Sequence, residues 1–142
     1  MKRSKALRSL SRDHHKALSV ALDLRRFQDV GQASGRFLEF WPDGALHFRI
    51  EEEVLLPYWE LLGTVNAEAV ARLSAEHRAL RAAALEVSAG TASLSSLRNL
   101  GAKLAAHVRF EERELFPIIE ADLGEHELET LARVVAEAEG NR

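Results

Sequence analysis

No cysteine occurs among the 142 residues, which removes disulfides, thiolate zinc sites, iron–sulfur clusters and cysteine nucleophiles from consideration. Proline is nearly as scarce, with three residues, and glycine contributes eight. No apolar run is long enough to span a bilayer. The N-terminal MKRSKALRSL is basic but lacks the apolar stretch of a signal peptide. A soluble, cytoplasmic protein is therefore the expectation. An excess of one charge is missing as well: 19 Lys and Arg stand against 22 Asp and Glu, and the signs mix along the chain. Such a balance leaves no electrostatic footprint for nucleic acid. The one basic stretch, Lys2, Arg3, Lys5, Arg8 and Arg12, reads as a solvated helix start.

What is present is rich in Ala, Leu, Glu and Arg, which favour helices, and the length suits one domain over residues 1–142. Breaks fall where Gly, Pro and polar residues cluster. They predict helices over about Ser4 to Asp29, Ala33 to Leu62, Ala67 to Ala89 and Leu94 to Leu123, with Gly124 preceding a short tail helix to about Glu139. The second helix is expected to be interrupted near Trp41-Pro42-Asp43-Gly44. No segment sustains strand alternation, so the fold class is all-α.

Two stretches carry seams at spacings of three and four. One is Val70, Leu73, His77, Leu80, Ala84 and Val87. The other is Leu97, Leu100, Leu104, His107, Glu111, Glu114 and Ile118. Residues so spaced share one helix face and point at neighbouring helices. Imidazoles and carboxylates in a seam that should be apolar need partners, because burying them alone is costly.

The chain also repeats. His47-Phe-Arg-Ile-Glu-Glu-Glu-Val-Leu-Leu-Pro57 matches His107-Val-Arg-Phe-Glu-Glu-Arg-Glu-Leu-Phe-Pro117, and Leu10-Ser-Arg-Asp-His14 matches Leu73-Ser-Ala-Glu-His77. Each half is a helix pair bearing one His and then His-x-x-x-Glu. Two such hairpins make an antiparallel, up-down four-helix bundle with a pseudo-twofold repeat. The twofold brings His14, His47, Glu51, His77, His107 and Glu111 to one depth. One His in a seam, or one His-x-x-x-Glu, is ordinarily a core or surface feature. Four of six histidines at repeat-related positions form a consistent ligand set, and mixed nitrogen and oxygen donors suit iron, manganese or zinc.

Asp13-His14-His15 offers two candidates. The stripe through His14 contains Leu7, Leu10, Ala17, Ala21 and Leu24, whereas that through His15 contains Arg8, Ser11 and Arg25. His14 is the better ligand, with His15 an extra or alternative one. Glu114 reads either as an acceptor for a ligating imidazole or an occasional ligand, or as the partner of an arginine, the latter slightly preferred. Arg49, Arg109, Glu52 and Glu112 read as surface salt-bridge residues, and His126 as solvated. Trp41, Phe40, Phe48, Tyr58, Trp59, Phe110 and Phe116 read as packing. Pro57 and Pro117 are expected to kink or loosen their helices just beyond the glutamates.

The two His-to-Pro segments resemble the paired motifs of hemerythrin-like (HHE cation-binding) domains, and Asp13-His14 and Glu76-His77 look like that family's acidic-His pairs. The resemblance runs from about Leu10 to Ile119. It implies a non-haem centre of two iron ions in a four-helix bundle, with roles in oxygen binding, oxygen or nitric oxide sensing, or iron handling; the mixed charge and the lack of a spanning segment leave no nucleic-acid or membrane partner expected. The oxygen-carrying type has a fifth His one turn beyond the third-helix His, where this chain has Arg81. That departure weakens the case for reversible carriage, and two alternatives stand beside the ligand-binding reading. One is a di-iron oxidase, peroxidase or iron-centre repair protein, and the other is a metal-free helical interaction module.

Overall fold

The computed structural model describes residues 3–140, and within that range every regular element is helical. Helix α1 (Lys5–Arg26) is followed by α2 (Val30–Ile50), a π turn (Glu51–Leu55) and the short α3 (Leu56–Leu62). The second half repeats the order, with α4 (Ala67–Ser88), α5 (Leu94–Phe110), a second π turn (Glu111–Leu115) and α6 (Phe116–Asp122). The tail helix α7 (Glu125–Gly140) completes the chain. Lys2 lies outside the described residues.

The helix starts follow from their caps. Asp29 accepts from the Gln32 amide, Asn66 from the Ala69 amide, and Ser93 with Ser96 forms a reciprocal capping box. Gly90, at φ +76°, supplies the left-handed residue that ends α4. Short loops make consecutive helices antiparallel, so α1 and α4 run one way and α2 and α5 the other. Each of α1 and α4 packs against both α2 and α5. Gly101 lets α5 approach α1 closely: a Cβ there would stand 2.7 Å from the Ala21 carbonyl oxygen and 3.0 Å from Leu24 Cβ.

Apolar side chains form two clusters, one on either side of the bundle's midsection. The upper holds Val20, Leu24, Phe37, Leu80, Leu97 and Leu100 among others. The lower is built around Leu7, Leu10, Leu55, Trp59, Leu73 and Phe116. Helix α7 seals the lower end with Leu131 and Val135, so the tail packs on its own bundle. Trp59, fully buried, donates its indole N–H to Asp122, which also accepts from the Thr64 amide and so joins the ends of α3 and α6.

Three sequence expectations are corrected. The break near Pro42 is absent: α2 runs through it, because Phe37, Phe40, Gly44, His47 and Phe48 keep one buried stripe across the proline. Pro42 itself faces solvent, where water can serve the carbonyl it leaves unpaired. The seam beyond each glutamate is also displaced by one residue. The π turns, closed by the Leu56 amide on the Glu51 carbonyl and the Phe116 amide on the Glu111 carbonyl, carry one residue more than an α turn. Leu55 and Trp59 therefore take the inward positions and Tyr58 packs only partly buried in the lower cluster, while Leu115 and Ile119 replace Glu114 and Ile118. Pro57 and Pro117 sit in the first turn of the helices that follow, where a missing N–H costs little, and the distortion falls on their N-terminal side. Finally, Arg3 is no solvated residue; it folds onto Glu112 and Glu120.

Replacing Gly101 by alanine should lower stability by about 1–3 kcal/mol despite the better helix propensity, because backbone must move to admit the methyl group. Thermal unfolding followed by circular dichroism tests this, and a melting temperature at or above that of the parent would show a looser α1–α5 crossing.

Candidate metal centre

The midsection between the two apolar clusters is occupied by six ionisable side chains. His14 comes from α1, His47 from α2, His77 from α4 and His107 from α5; Glu51 and Glu111 open the two π turns. All six are buried, with 5 % exposure at most. His15 is exposed, as its polar stripe implies, and the site is left to His14.

The six fall into two imidazole pairs joined by two carboxylates. The His14 and His47 rings are 5.1 Å apart between centroids, and those of His77 and His107 are 5.0 Å apart. Glu51 reaches both pairs, with Oε1 3.0 Å from His77 Nε2 and Oε2 3.3 Å from His47 Nε2. Glu111 does the same from the opposite side. Its Oε1 lies 2.6 Å from His14 Nε2 and 3.4 Å from His47 Nε2, and its Oε2 lies 3.2 Å from His107 Nε2. Donor atoms of Glu51, His77, His107 and Glu111 come within 4.8 Å of one another, as do those of His14, His47 and Glu111. Glu111 belongs to both groups.

The outer nitrogen of every ring faces a carboxylate of another helical segment. His14 Nδ1 is 2.7 Å from Glu112, His77 Nδ1 is 2.7 Å from Glu52, His47 Nδ1 is 3.0 Å from Asp13 and His107 Nδ1 is 2.6 Å from Glu76. Donation from Nδ1 fixes the ring orientation and turns Nε2 inward. Glu52 and Glu112 are thus not the surface partners of Arg49 and Arg109 expected from sequence. Arg49 and Arg109 are exposed, and the glutamates turn back to the imidazoles. The signal was present, since each of the four outer acids is adjacent in sequence to one of the six inner residues, but adjacency does not say which helix an outer acid will brace.

Arginines back three of these carboxylates. Arg81 pairs with Glu52 through both terminal nitrogens, at 2.7 and 2.8 Å, and lies over the Phe48 ring. Arg3 holds Glu112, and Arg72 holds Glu76. Arg72 also takes Glu114, whose exposure puts it away from the site. His126 is exposed. Phe48 stacks on His77 at 3.9 Å, so this aromatic side chain is a wall of the centre as well as packing.

Burial by itself would lower the imidazole pKa values, but the surrounding carboxylates outweigh it. His107 is pushed up to about 10 by Glu111, Glu76 and Glu51, and His77 to about 9 by Glu111 and Glu51. His14 is raised by Glu111 and Glu112, and His47 by Glu51 and Asp13. Against its own burial, Glu111 is held well below the usual carboxylate range, with His107 the chief cause, and Glu112 is held at about 2 by His14 and Ser11.

Protein groups account for the outer face of the centre but not for its inner face. Among the described residues, seven buried side-chain polar atoms lack a hydrogen-bond partner. Five of them are here: both Glu51 oxygens, Glu111 Oε2, His77 Nε2 and His107 Nε2. They lie near one another without the geometry of hydrogen bonds. Buried polar atoms are rarely left so, and unpaired ones converging on one point call for a further binding partner. Nitrogen and oxygen donors without thiolates suit iron, manganese or zinc. The residues fit a cation centre.

A pH profile separates the metal-free from the metal-loaded protein. The raised imidazoles stabilise the metal-free fold fully below their ordinary value of 6.5, and that contribution is lost as pH rises through about 9 to 10. The lowered carboxylate of Glu112 contributes above its ordinary value of 4.5 and is lost as pH falls through about 2. Chelator-treated protein should therefore melt at its highest temperature between pH 4.5 and 6.5 and decline above that window. Protein loaded with metal should hold its melting temperature through about pH 8, since a cation takes the place of the inner protons. Coincident profiles would mean that the imidazoles do not bind the metal.

No curated protein and no solved structure matches the chain. The family model described as the hemerythrin HHE cation-binding domain matches residues 5–119, which takes in both hairpins, all six inner residues and the four outer acids. With that match over most of its length, the chain belongs to the hemerythrin HHE cation-binding domain family.

Proposed function

We propose that this protein holds a pair of metal ions, both iron, and binds oxygen or nitric oxide at coordination positions the chain leaves open. His14 and His47 hold one ion, His77 and His107 the other, and Glu51 and Glu111 bridge them. Zinc and manganese are the other ions the donor set suits. The observation that carries this reading is the set of five buried, unpartnered oxygen and nitrogen atoms on Glu51, Glu111, His77 and His107, beside a second donor group of His14, His47 and Glu111. A metal-free interaction module gives those atoms no role.

Bound iron supplies redox-active positions able to take a diatomic ligand. The chain's own part is to fix the donors, keep bulk water out with two apolar clusters, and tune the imidazoles through the outer carboxylates. Four imidazoles and two bridging carboxylates supply eight donor atoms, four to each ion, fewer than a six-coordinate iron takes, which supports small-ligand binding. Arg81 stands one turn beyond His77 and is engaged by Glu52, so it adds no imidazole to that side. Sensing or reaction of the small molecule suits this arrangement better than reversible carriage.

Elemental analysis of protein purified without chelator should find two irons per chain. Glu111→Ala, which removes the one residue common to both donor groups, should lose most of both. Glu51→Ala should lose at least one. Full retention of two metals by the Glu111 variant would sink the bridging role, and metal absent even after anaerobic reconstitution would sink the whole reading.

A further inference from the structure

The centre has two ends that are related by the internal repeat, and among the described residues a cavity leads to the end held by α1 and α2. A cavity of about 60 Å³ opens on the seam between α1 and α2 and ends on His14, His47, His107 and Glu111. A single water needs only ~10–15 Å³ on the same measure, so a diatomic molecule fits with room to move. Its walls are mainly apolar, formed by Ala17, Phe40, Phe48, Leu104 and Val108 with Gly44 at the α2 side, and the Asp13 carboxylate in the lining is engaged by His47 Nδ1. At its mouth Lys16 pairs with Asp43 at 2.9 Å, both side chains about half exposed.

The repeat-related seam between α4 and α5 is built differently. Ala17 corresponds to Leu80, Gly44 to Leu104, Lys16 to Ala79 and Asp43 to Lys103. A groove does lie there, lined by Ala75, Glu76, Ala79, Leu80, Lys103 and Ala106, but it reaches none of the six inner residues. Leu80 is buried and stands where Ala17 leaves space in the first half. Gly44 matters for a second reason: a Cβ there would meet the Phe40 ring at 2.8 Å, so glycine is what lets that ring lie along the wall.

We infer that small ligands reach the centre through the α1–α2 seam, passing the Lys16–Asp43 pair and the gap left by Ala17 and Gly44, and that the route admits uncharged molecules of diatomic size. The inference rests on the proposed ligand-binding role and adds to it a direction, a doorway and a selection rule. An ion crossing the apolar walls would shed hydration that nothing there replaces, whereas a neutral diatomic loses little. The ion pair is exposed and so weakly held, which makes it a movable cover.

The test installs in the first half the residue type that the second half already has. Ala17→Leu should leave metal content and helicity unchanged, abolish the xenon-129 resonance of gas held in the cavity, and slow nitric oxide association with the iron-loaded protein about tenfold. Leu104→Ala, which widens the same space, should strengthen xenon uptake and speed association; it decides the matter if the Ala17→Leu variant does not fold. Xenon uptake by Ala17→Leu equal to the parent's would overturn the route, as would nitric oxide association at the parental rate. A parent protein that carries no iron would defeat the proposed function instead, and the xenon measurement would still decide whether the seam admits small apolar molecules.

Discussion

A carboxylate or imidazole placed unpaired in a helical core costs several kcal/mol, and this bundle places six of them at one level. The requirement that each be satisfied organises everything around them. Every ring is gripped at Nδ1 by an acid from a different helical segment, so Asp13 ties α1 to α2, Glu76 ties α4 to α5, and the two π turns reach across to α1 and α4 through Glu112 and Glu52. None of α1, α2, α4 and α5 can rotate about its own axis without breaking an inner and an outer contact together. Arg3, Arg72 and Arg81 then hold three of the four outer acids from the other side, which keeps those acids ionised and in place.

The π turns serve the same requirement. An α-helix repeating every 3.6 residues cannot present His47, Glu51 and then Leu55 and Trp59 to one point without drift, and the wide turn at Glu51–Leu55 absorbs the difference. The same holds at Glu111–Leu115. Stretches of ordinary helix continue on either side, so the distortion is confined to the segments that begin with the glutamates.

Much of this is legible in the sequence. The helices, the repeat, the preference for His14 over His15 and the convergence of six residues all follow from spacing, because periodicity within a helix states directly which residues share a face. What cannot be read there depends on other helices. Glu52 and Glu112 lie off the α-helical seam, and only the cross-helix position of His77 and His14 shows why they turn inward. An unbroken helical period puts Glu114 on the seam, and the π turn interrupts that period. Local propensity favours a break at Pro42, but the buried stripe from Phe37 to Phe48 outweighs a single lost hydrogen bond on the solvent side.

The repeat itself has a further consequence. Inner and outer residues correspond one to one between the halves, so the donors alone give the centre no orientation. The packing does. Where the first half has Ala17, the second has the buried Leu80, and a molecule whose chemistry is nearly symmetric acquires a front and a back through the volume of one side chain.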